Sequence, residues 1–205
     1  MKLYFSPGAC SLSPHIALRE AGLDFETERV DMATKKTQGG DDFNTINPGG
    51  YVPALRLDNG EVLTEGPAIV QYIADLVPEK KLAPAAGSFE RVRLQETLNF
   101  ISTELHKGFS PLFRKDCPEE WKEVVRTTLG RRFAALDAQL ATQPFLFGEQ
   151  FTVADGYLFT VLGWTRFVNY DLAPYPNLVA YQARVAARPA VHAALEAEGL
   201  LKRSA

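Results

Sequence analysis

The chain has 205 residues, 46% of them hydrophobic and 23% charged, a composition typical of a globular protein with one large domain or two small ones. Its formal net charge is −3, and it lacks both a basic block and an apolar run near the roughly 20 residues of a membrane span, which argues against nucleic acid and membranes as partners. Cys10 and Cys117 form no CxxC motif and the three histidines have no paired spacing, so we expect reduced thiols in the cytoplasm and no metal site.

The first predicted elements are a strand, a turn and a helix that together present a cysteine. The apolar run Leu3–Phe5 ends at a Ser-Pro-Gly turn, and a helical pattern then follows Cys10 until Gly22, a favourable C-cap. Either Ser11 or Ser13 suits the N-cap. The positive end of a helix dipole stabilises a thiolate, so this position predicts a lowered pKa and a nucleophilic Cys10. The alternative is that Cys10 is a small buried residue without a chemical role.

The rest of the first half predicts a small mixed α/β unit. Residues 25–30 alternate weakly and predict a second strand, which is parallel to the first because a helix connects them. Residues 31–50 predict a long polar loop with one short helical turn. Two short runs, 52–57 and 62–64, predict an antiparallel hairpin around an Asn-Gly turn. A further helix is predicted to begin near Pro67.

The second half predicts only helices, and it begins after a linker rich in Pro and Ala. We divide the chain into a first domain at residues 1–80, a linker at 81–86 and a second domain at 87–205. Ser88 is the expected N-cap of a long first helix in the second domain. The later helices are predicted at residues 118–141, 153–164, 177–188 and 189–198. The apolar face of the first of these is expected to include Trp121.

Two helices of the second domain carry features beyond an apolar face. On the long first helix, Asn99, Thr103 and His106 form a polar stripe, spaced by four and three residues. Such a stripe faces solvent by default, and it lines a cleft if it is turned toward the first domain. On a later helix, Thr152 and Asp155 have the spacing of a capping box, and the apolar sequence that follows predicts a buried helix.

Several stretches resemble the glutathione transferases, and the resemblance covers the whole chain. They are SPGACSLSPHIALREAG, the Val52-Pro53 step, LTEGPAIVQYIAD, NFISTELHK and TVADGYLF. The pair Cys10 and His106 resembles the bacterial beta class of that family. The resemblance implies an α/β thioredoxin-like N-terminal domain plus an all-α C-terminal helical domain. It also implies reduced glutathione as co-substrate, a hydrophobic electrophile as second substrate, and a homodimer.

The resemblance further implies a set of residues around the glutathione molecule. They are Cys10, Lys35, Val52, Pro53, Glu65, Gly66, Asn99, Thr103, Glu104 and His106. Cys10 is implied to lie against the glutathione sulfur, with His106 near it, facing the electrophile and able to relay a proton near neutral pH. Lys35 is implied to pair with the glycyl carboxylate. Val52, before a cis Pro53, is implied to bond the cysteinyl main chain through its own main chain.

The same resemblance implies which residues hold the γ-glutamyl end of glutathione and which others approach the molecule. Glu65 is implied to hold the γ-glutamyl ammonium group, while the Gly66 N–H at a helix N-terminus holds the γ-glutamyl carboxylate. Many relatives have Ser at the position of Gly66, so the missing hydroxyl predicts a lower affinity for glutathione. Asn99, Thr103 and Glu104 are implied to approach glutathione, some of them across a dimer interface.

Three functions from different classes follow. The leading one is conjugation, in which the glutathione sulfur attacks a hydrophobic electrophile during detoxification of xenobiotic compounds. The second is glutathione-dependent thiol-disulfide exchange or dehalogenation through a mixed disulfide at Cys10, because Cys10-Ser11-Leu12-Ser13 is a CxxS motif. The third is a carrier that binds hydrophobic ligands without turnover, for which Phe113, Trp164 and Phe167 are candidate contacts.

Overall fold

Five short strands form one mixed sheet in a computed structural model, which describes residues 1–201 of the chain. They are β1 (Lys2–Phe5), β2 (Glu26–Asp31), β3 (Lys36–Thr37), β4 (Ala54–Arg56) and β5 (Val62–Thr64), in the order β3-β2-β1-β4-β5. β1 and β2 are parallel, and the other neighbours are antiparallel. The predicted parallel pair and hairpin are therefore confirmed. β3 lies within the predicted loop, because two residues are too few to show a period.

Helices make up the rest of the regular structure. They are α1 (Leu12–Ala21), α2 (Gly66–Leu76), α3 (Phe89–Phe100), α4 (Lys107–Phe113), α5 (Glu119–Leu140), α6 (Val153–Leu162), α7 (Pro176–Ala186) and α8 (Pro189–Ala197). A π-helical segment, Ile101–His106, joins α3 to α4, and 3₁₀ turns occupy Phe43–Thr45, Pro78–Lys80 and Gly163–Phe167. Within residues 1–201, none of the helices has the length and apolar character needed to cross a membrane.

The element order confirms the predicted fold class, an α/β part followed by an all-helical part. Residues 81–87, which contain the predicted linker, have no helix or strand. Ser88 caps α3 as expected, since its hydroxyl accepts the Arg91 N–H at 3.1 Å. The last residues of the predicted second domain, 202–205, lie outside the described residues.

The start of α1 is tied to the turn before it. Ser11, and not Ser13, is the residue that precedes the helix, but its hydroxyl does not cap α1. It accepts the Ser6 N–H at 3.1 Å and lies 3.2 Å from the Ser6 carbonyl oxygen. Gly22 ends α1 at a φ of 70°, which confirms the predicted C-cap. The turn between β1 and α1 is thus closed by a side chain at the helix start.

The buried helix α6 holds the two halves of the chain together. All of its residues are buried, and Asp155 accepts the Thr152 N–H at 2.8 Å, so both the buried helix and the capping box are confirmed. Gly156 allows close packing on α1, because a Cβ there would lie 3.3 Å from Cγ2 of Ile16. The prediction for Trp121 is wrong: this side chain is 54% exposed, because it lies in the first turn of α5, one turn before the buried face begins.

Candidate active site

Two adjacent cavities lie where the helical part meets the turn between β1 and α1. The polar cavity has a volume of about 320 Å³, and the apolar cavity has a volume of about 530 Å³. The residues that line both are Cys10, Tyr51, Val52 and His106. A molecule bound in one cavity would therefore meet a molecule bound in the other beside Cys10 and His106. Such an arrangement suits a reaction between two bound substrates.

Cys10 lies two residues before α1, and its thiol is neutral. Its Sγ donates to the Val52 carbonyl oxygen at 3.2 Å. Burial raises the pKa of the Cys10 thiol to about 11, against the opposing effect of the main-chain N–H groups of Cys10 and Ser11. The predicted lowering of this pKa is therefore wrong, because desolvation outweighs the helix dipole at a residue just outside the helix. At pH 7 only about one such thiol in ten thousand is ionised.

His106 ends the π-helical segment and is also neutral. Its Nδ1 lies 2.7 Å from the Tyr157 hydroxyl oxygen, and its ring meets the edge of Trp164 with centroids 4.8 Å apart. Burial, with the nearby Lys107 charge, lowers the pKa of His106 to about 4. His106 therefore carries no charge near neutral pH, and its expected role as a proton relay stays a prediction. A neutral ring can still offer one N–H as a hydrogen-bond donor.

The polar cavity combines groups of both charge signs. Its charged and polar lining residues include Glu65, Gly66 at the first position of α2, Ser102, Lys107 and Tyr157. A carboxylate, a lysine ammonium group and a helix N-terminus are complementary to a ligand that carries both carboxylates and an ammonium group. The Val52-Pro53 peptide bond beside them is cis, as predicted.

Three of these residues were missed by the sequence reasoning. Ser102 stands four residues before His106, a spacing that places both on one side of a helix and could have identified it. Lys107 directly follows His106 and gave no signal of its own. Tyr157 lies in the apolar helix α6, where a tyrosine is usually a core residue, and burial raises its pKa.

Four of the predicted glutathione residues do not line either cavity. Lys35 donates from Nζ to the Gly50 carbonyl oxygen at 2.8 Å and lies over the Tyr51 ring, so it is next to the polar cavity and not in it. The other three lie on α3 and on the π-helical segment that follows it. Asn99 and Thr103 are exposed, and Glu104 accepts from Arg132 at 2.6 Å.

The apolar cavity is lined mainly by rings and aliphatic groups. Beyond the shared residues, its lining is Pro7, Gly8, Ala9, Met32, Ser110, Phe113, Trp164 and Phe167. This list includes all three aromatic residues that the sequence reasoning named as candidate contacts. None of its side chains is charged, so the cavity suits a hydrophobic molecule. Within residues 1–201, no group of three metal-ligating side chains is found.

Comparison with known proteins identifies relatives along the whole chain. The family models "Glutathione S-transferase, N-terminal domain" and "Glutathione S-transferase, C-terminal domain" match residues 8–76 and 100–189. The chain is 49% identical to glutathione S-transferase GstA of Escherichia coli O157:H7, over 98% of this chain and 100% of that protein.

Comparison with solved structures also identifies glutathione S-transferases as relatives. A sphingomonad glutathione S-transferase complexed with glutathione has a TM-score of 0.94 and 54% identity, over 98% of this chain and 100% of that one. A bacterial beta class glutathione S-transferase of Sphingomonas chungbukensis has a TM-score of 0.94 and 53% identity, over 98% and 100% of the two chains.

Proposed function

Because the chain belongs to the glutathione S-transferase family, we propose that its polar cavity binds reduced glutathione and its apolar cavity binds a hydrophobic electrophile. The protein is a transferase that acts through the glutathione sulfur, and its fold and sequence are those of the bacterial beta class. The observation that carries the proposal is the meeting of the two cavities at Cys10. Detoxification of xenobiotic compounds is the biological role we propose for this reaction.

The charges around the polar cavity support one direction of glutathione binding in our proposal. In our proposal Glu65 accepts from the γ-glutamyl ammonium group, and the Gly66 N–H donates to the adjacent carboxylate. The main chain of Val52 bonds the cysteinyl unit, which brings the sulfur to Cys10. The glycyl carboxylate then points toward Lys35, whose Nζ is held by the Gly50 carbonyl oxygen until the ligand replaces that contact.

A neutral Cys10 thiol suits conjugation, because it can donate a hydrogen bond to an anion. The S–H group that donates to Val52 in the free protein can turn to donate to the glutathione thiolate. The Lys107 ammonium group adds a positive charge beside the sulfur, which favours release of the glutathione S–H proton to water. The thiolate then attacks the electrophilic carbon, forming a C–S bond, and the leaving group departs with its electron pair.

The alternative, disulfide exchange through Cys10, requires this residue to act as a thiolate. Its pKa of about 11 leaves very little thiolate at neutral pH, so Cys10 is a poor nucleophile in the free protein. The carrier hypothesis uses only the apolar cavity and leaves the charged groups of the polar cavity without a role. Conjugation uses both cavities and is the function that we propose.

We also propose a cytoplasmic homodimer. The exposed positions of Asn99 and Thr103 support it, since exposed residues can reach a partner subunit's glutathione. Large apolar side chains that are exposed in the single chain include Tyr51, Phe89, Val92, Trp121 and Val124, which also favours a partner surface. The unpaired thiols of Cys10 and Cys117 in the described part of the chain fit a reducing compartment.

The test measures two activities of the wild type, Cys10→Ala and Cys10→Ser: conjugation of glutathione to chlorodinitrobenzene, and reduction of a glutathione mixed disulfide. We expect Cys10→Ala to lower the kcat of conjugation about tenfold, and Cys10→Ser to retain most of it, because a hydroxyl also donates. If conjugation is unchanged in both variants while disulfide reduction disappears, Cys10 is a redox group. If the wild type shows neither activity, the carrier hypothesis replaces ours.

Protection from alkylation tests the site separately. In a Cys117→Ala background, Cys10 is the only cysteine, so its alkylation by iodoacetamide can be followed by mass spectrometry. We expect saturating S-methylglutathione, whose blocked sulfur cannot consume the iodoacetamide, to slow the reaction. Equal rates with and without this analogue would mean that glutathione does not bind beside Cys10.

A further inference from the structure

Two buried side chains that the proposed chemistry does not use contact each other beside the turn that carries Cys10, and one of them bonds to that turn. The Glu198 carboxyl group and the His15 imidazole are both 0% exposed, and Oε1 of Glu198 lies 2.9 Å from Nδ1 of His15. The second carboxyl oxygen, Oε2, accepts the Gly8 N–H at 2.9 Å. Gly8 lines the apolar cavity, so this contact links the end of α8 to the cavity wall.

The hydrogen-bond directions show that Glu198 accepts through both oxygens. Arg19 donates from Nε to Nε2 of His15 at 3.1 Å, so Nε2 is the accepting nitrogen of the ring. Nδ1 therefore carries a proton and donates it to Glu198. The carboxyl group thus joins two donors, His15 on α1 and the main chain of Gly8.

The Gly8 peptide is also fixed on its other side. The Trp164 indole N–H donates to the Gly8 carbonyl oxygen at 2.9 Å, and Trp164 lines the apolar cavity beside His106. Gly8 has a φ of 72°, and a Cβ there would lie 3.4 Å from Cδ2 of Leu200. This backbone conformation favours glycine, and the groups that bond its N–H and its carbonyl oxygen fix its orientation.

We propose that Glu198 is a positioning residue for the transferase reaction. By holding the Gly8 peptide, it sets the shape of the apolar cavity. The inference rests on the proposed binding of the electrophile in the apolar cavity. Gly8 does not line the polar cavity, so the effect of losing Glu198 falls on the electrophile and not on glutathione.

The main test compares Glu198→Gln with Glu20→Gln. His15 and Gly8 donate to different oxygens of Glu198, and a glutamine has only one oxygen, so one of these two donors would face an NH₂ group instead. We expect the KM for chlorodinitrobenzene to rise about tenfold, and the KM for glutathione to stay within about twofold of the wild type. Glu20→Gln is the matched control, since Glu20 joins α1 to α8 through Arg188, at 2.6 Å, without contacting Gly8. It should change neither KM.

Trp164 gives a second readout that needs no substrate. The chain has two tryptophans, so Trp121→Phe leaves Trp164 as the only one. In this background Glu198→Gln should shift the Trp164 emission, because the indole N–H loses its fixed partner at Gly8. Glu20→Gln should not shift it.

Substitutions of His15 test the same link should Glu198→Gln fail to fold. His15→Asn keeps an N–H near the position of Nδ1 and should preserve the electrophile KM and, in the Trp121→Phe background, the Trp164 emission. His15→Phe keeps the ring without a donor and should change both.

The outcomes separate the positioning role from the proposed function. A folded Glu198→Gln protein with unchanged emission and unchanged KM values, or one that matches Glu20→Gln throughout, would overturn the positioning role. A shifted emission with an unchanged electrophile KM would overturn its link to the reaction. A wild type without conjugating activity would count against the proposed function instead.

Discussion

The two side chains at the junction of the cavities are both uncharged at neutral pH, for the same physical reason. Burial raises the pKa of Cys10 to about 11 and lowers the pKa of His106 to about 4. The charged lining groups of the polar cavity are then Glu65 and Lys107, while Cys10 and His106, which line both cavities, are neutral. The sequence indicated Cys10 and His106 as site residues, but their burial depends on neighbours that are distant in the chain, so both pKa shifts were beyond prediction.

Titration of His106 should make the free energy of unfolding depend on pH between about pH 4 and pH 6.5. The pKa of His106 is about 4 in the folded chain and about 6.5 in an unfolded one, so the unfolded state binds an extra proton between these values. Stability therefore falls as pH falls through this window, by about 3 kcal/mol for this group. We expect the Tm of His106→Gln, measured by calorimetry, to fall less between pH 7 and pH 4.5 than the Tm of the wild type. His192→Gln, at an exposed position, is the control and should behave as the wild type.

At the scale of one element, the segment Ile101–His106 shows where periodicity misled the sequence reasoning. The stripe Asn99, Thr103 and His106 assumes 3.6 residues per turn. The π-helical segment has wider turns, with i to i+5 hydrogen bonds, so it rotates His106 into the cavities and leaves the other two exposed. The helix itself was predictable from its apolar residues, but a π-helical segment has no sequence signal in a single chain.

The N-terminus of α2 gives a prediction for glutathione affinity. A Cβ added at Gly66 would meet only Cγ of Pro53, at 3.9 Å, so a side chain fits there. Gly66→Ser places a hydroxyl donor beside the main-chain N–H that we assign to the γ-glutamyl carboxylate. We expect the KM for glutathione to fall by about threefold to tenfold with kcat unchanged.

Gly66→Ala is the control for that change, since it adds the Cβ without the hydroxyl. Its KM for glutathione should equal that of the wild type. If both variants lower the KM equally, the effect comes from the backbone, and the carboxylate assignment loses its support.

A glycine in the middle of α5, Gly130, leaves room for two tyrosine side chains to pack against the helix. A Cβ at Gly130 would lie 2.9 Å from the Tyr170 hydroxyl oxygen and 3.0 Å from that of Tyr175. Alanine is the better helix former by about 1 kcal/mol, but this overlap should outweigh the gain and leave Gly130→Ala about 1 kcal/mol less stable in urea unfolding. Gly163→Ala, where a Cβ meets nothing within 4 Å, is the control and should not lose stability. A stabilised Gly130→Ala would contradict the packing argument.

For the whole molecule, prediction from sequence succeeded where local chemistry decides the structure. Four confirmed features depend on residues close in sequence: the βαβ start, the hairpin, the C-cap at Gly22 and the Thr152–Asp155 capping box. The unpredicted features join distant parts: His15 in α1 meets Glu198 from the other end of the chain. Such long-range pairs have no periodic signal in one sequence.

The assembly remains a proposal, and the exposed positions of Asn99 and Thr103 make it testable by complementation. If these residues serve the partner's glutathione, each complete site uses Glu65 from one subunit and Asn99 and Thr103 from the other. We would prepare an Asn99→Ala/Thr103→Ala protein and a Glu65→Gln protein, each with a raised KM for glutathione, and exchange their subunits.

In the mixed dimer, one site then combines an intact Glu65 with the partner's intact Asn99 and Thr103, while the other site lacks all three. We expect the mixture to regain a class of sites with the wild-type KM for glutathione, seen as a biphasic saturation curve. If Asn99 and Thr103 served their own subunit, every site in the mixed dimer would lack one set of contacts, and no such class would form. Mixing each variant with itself is the control. A chain that stays monomeric in sedimentation would contradict the homodimer directly, because no exchange could then restore a site.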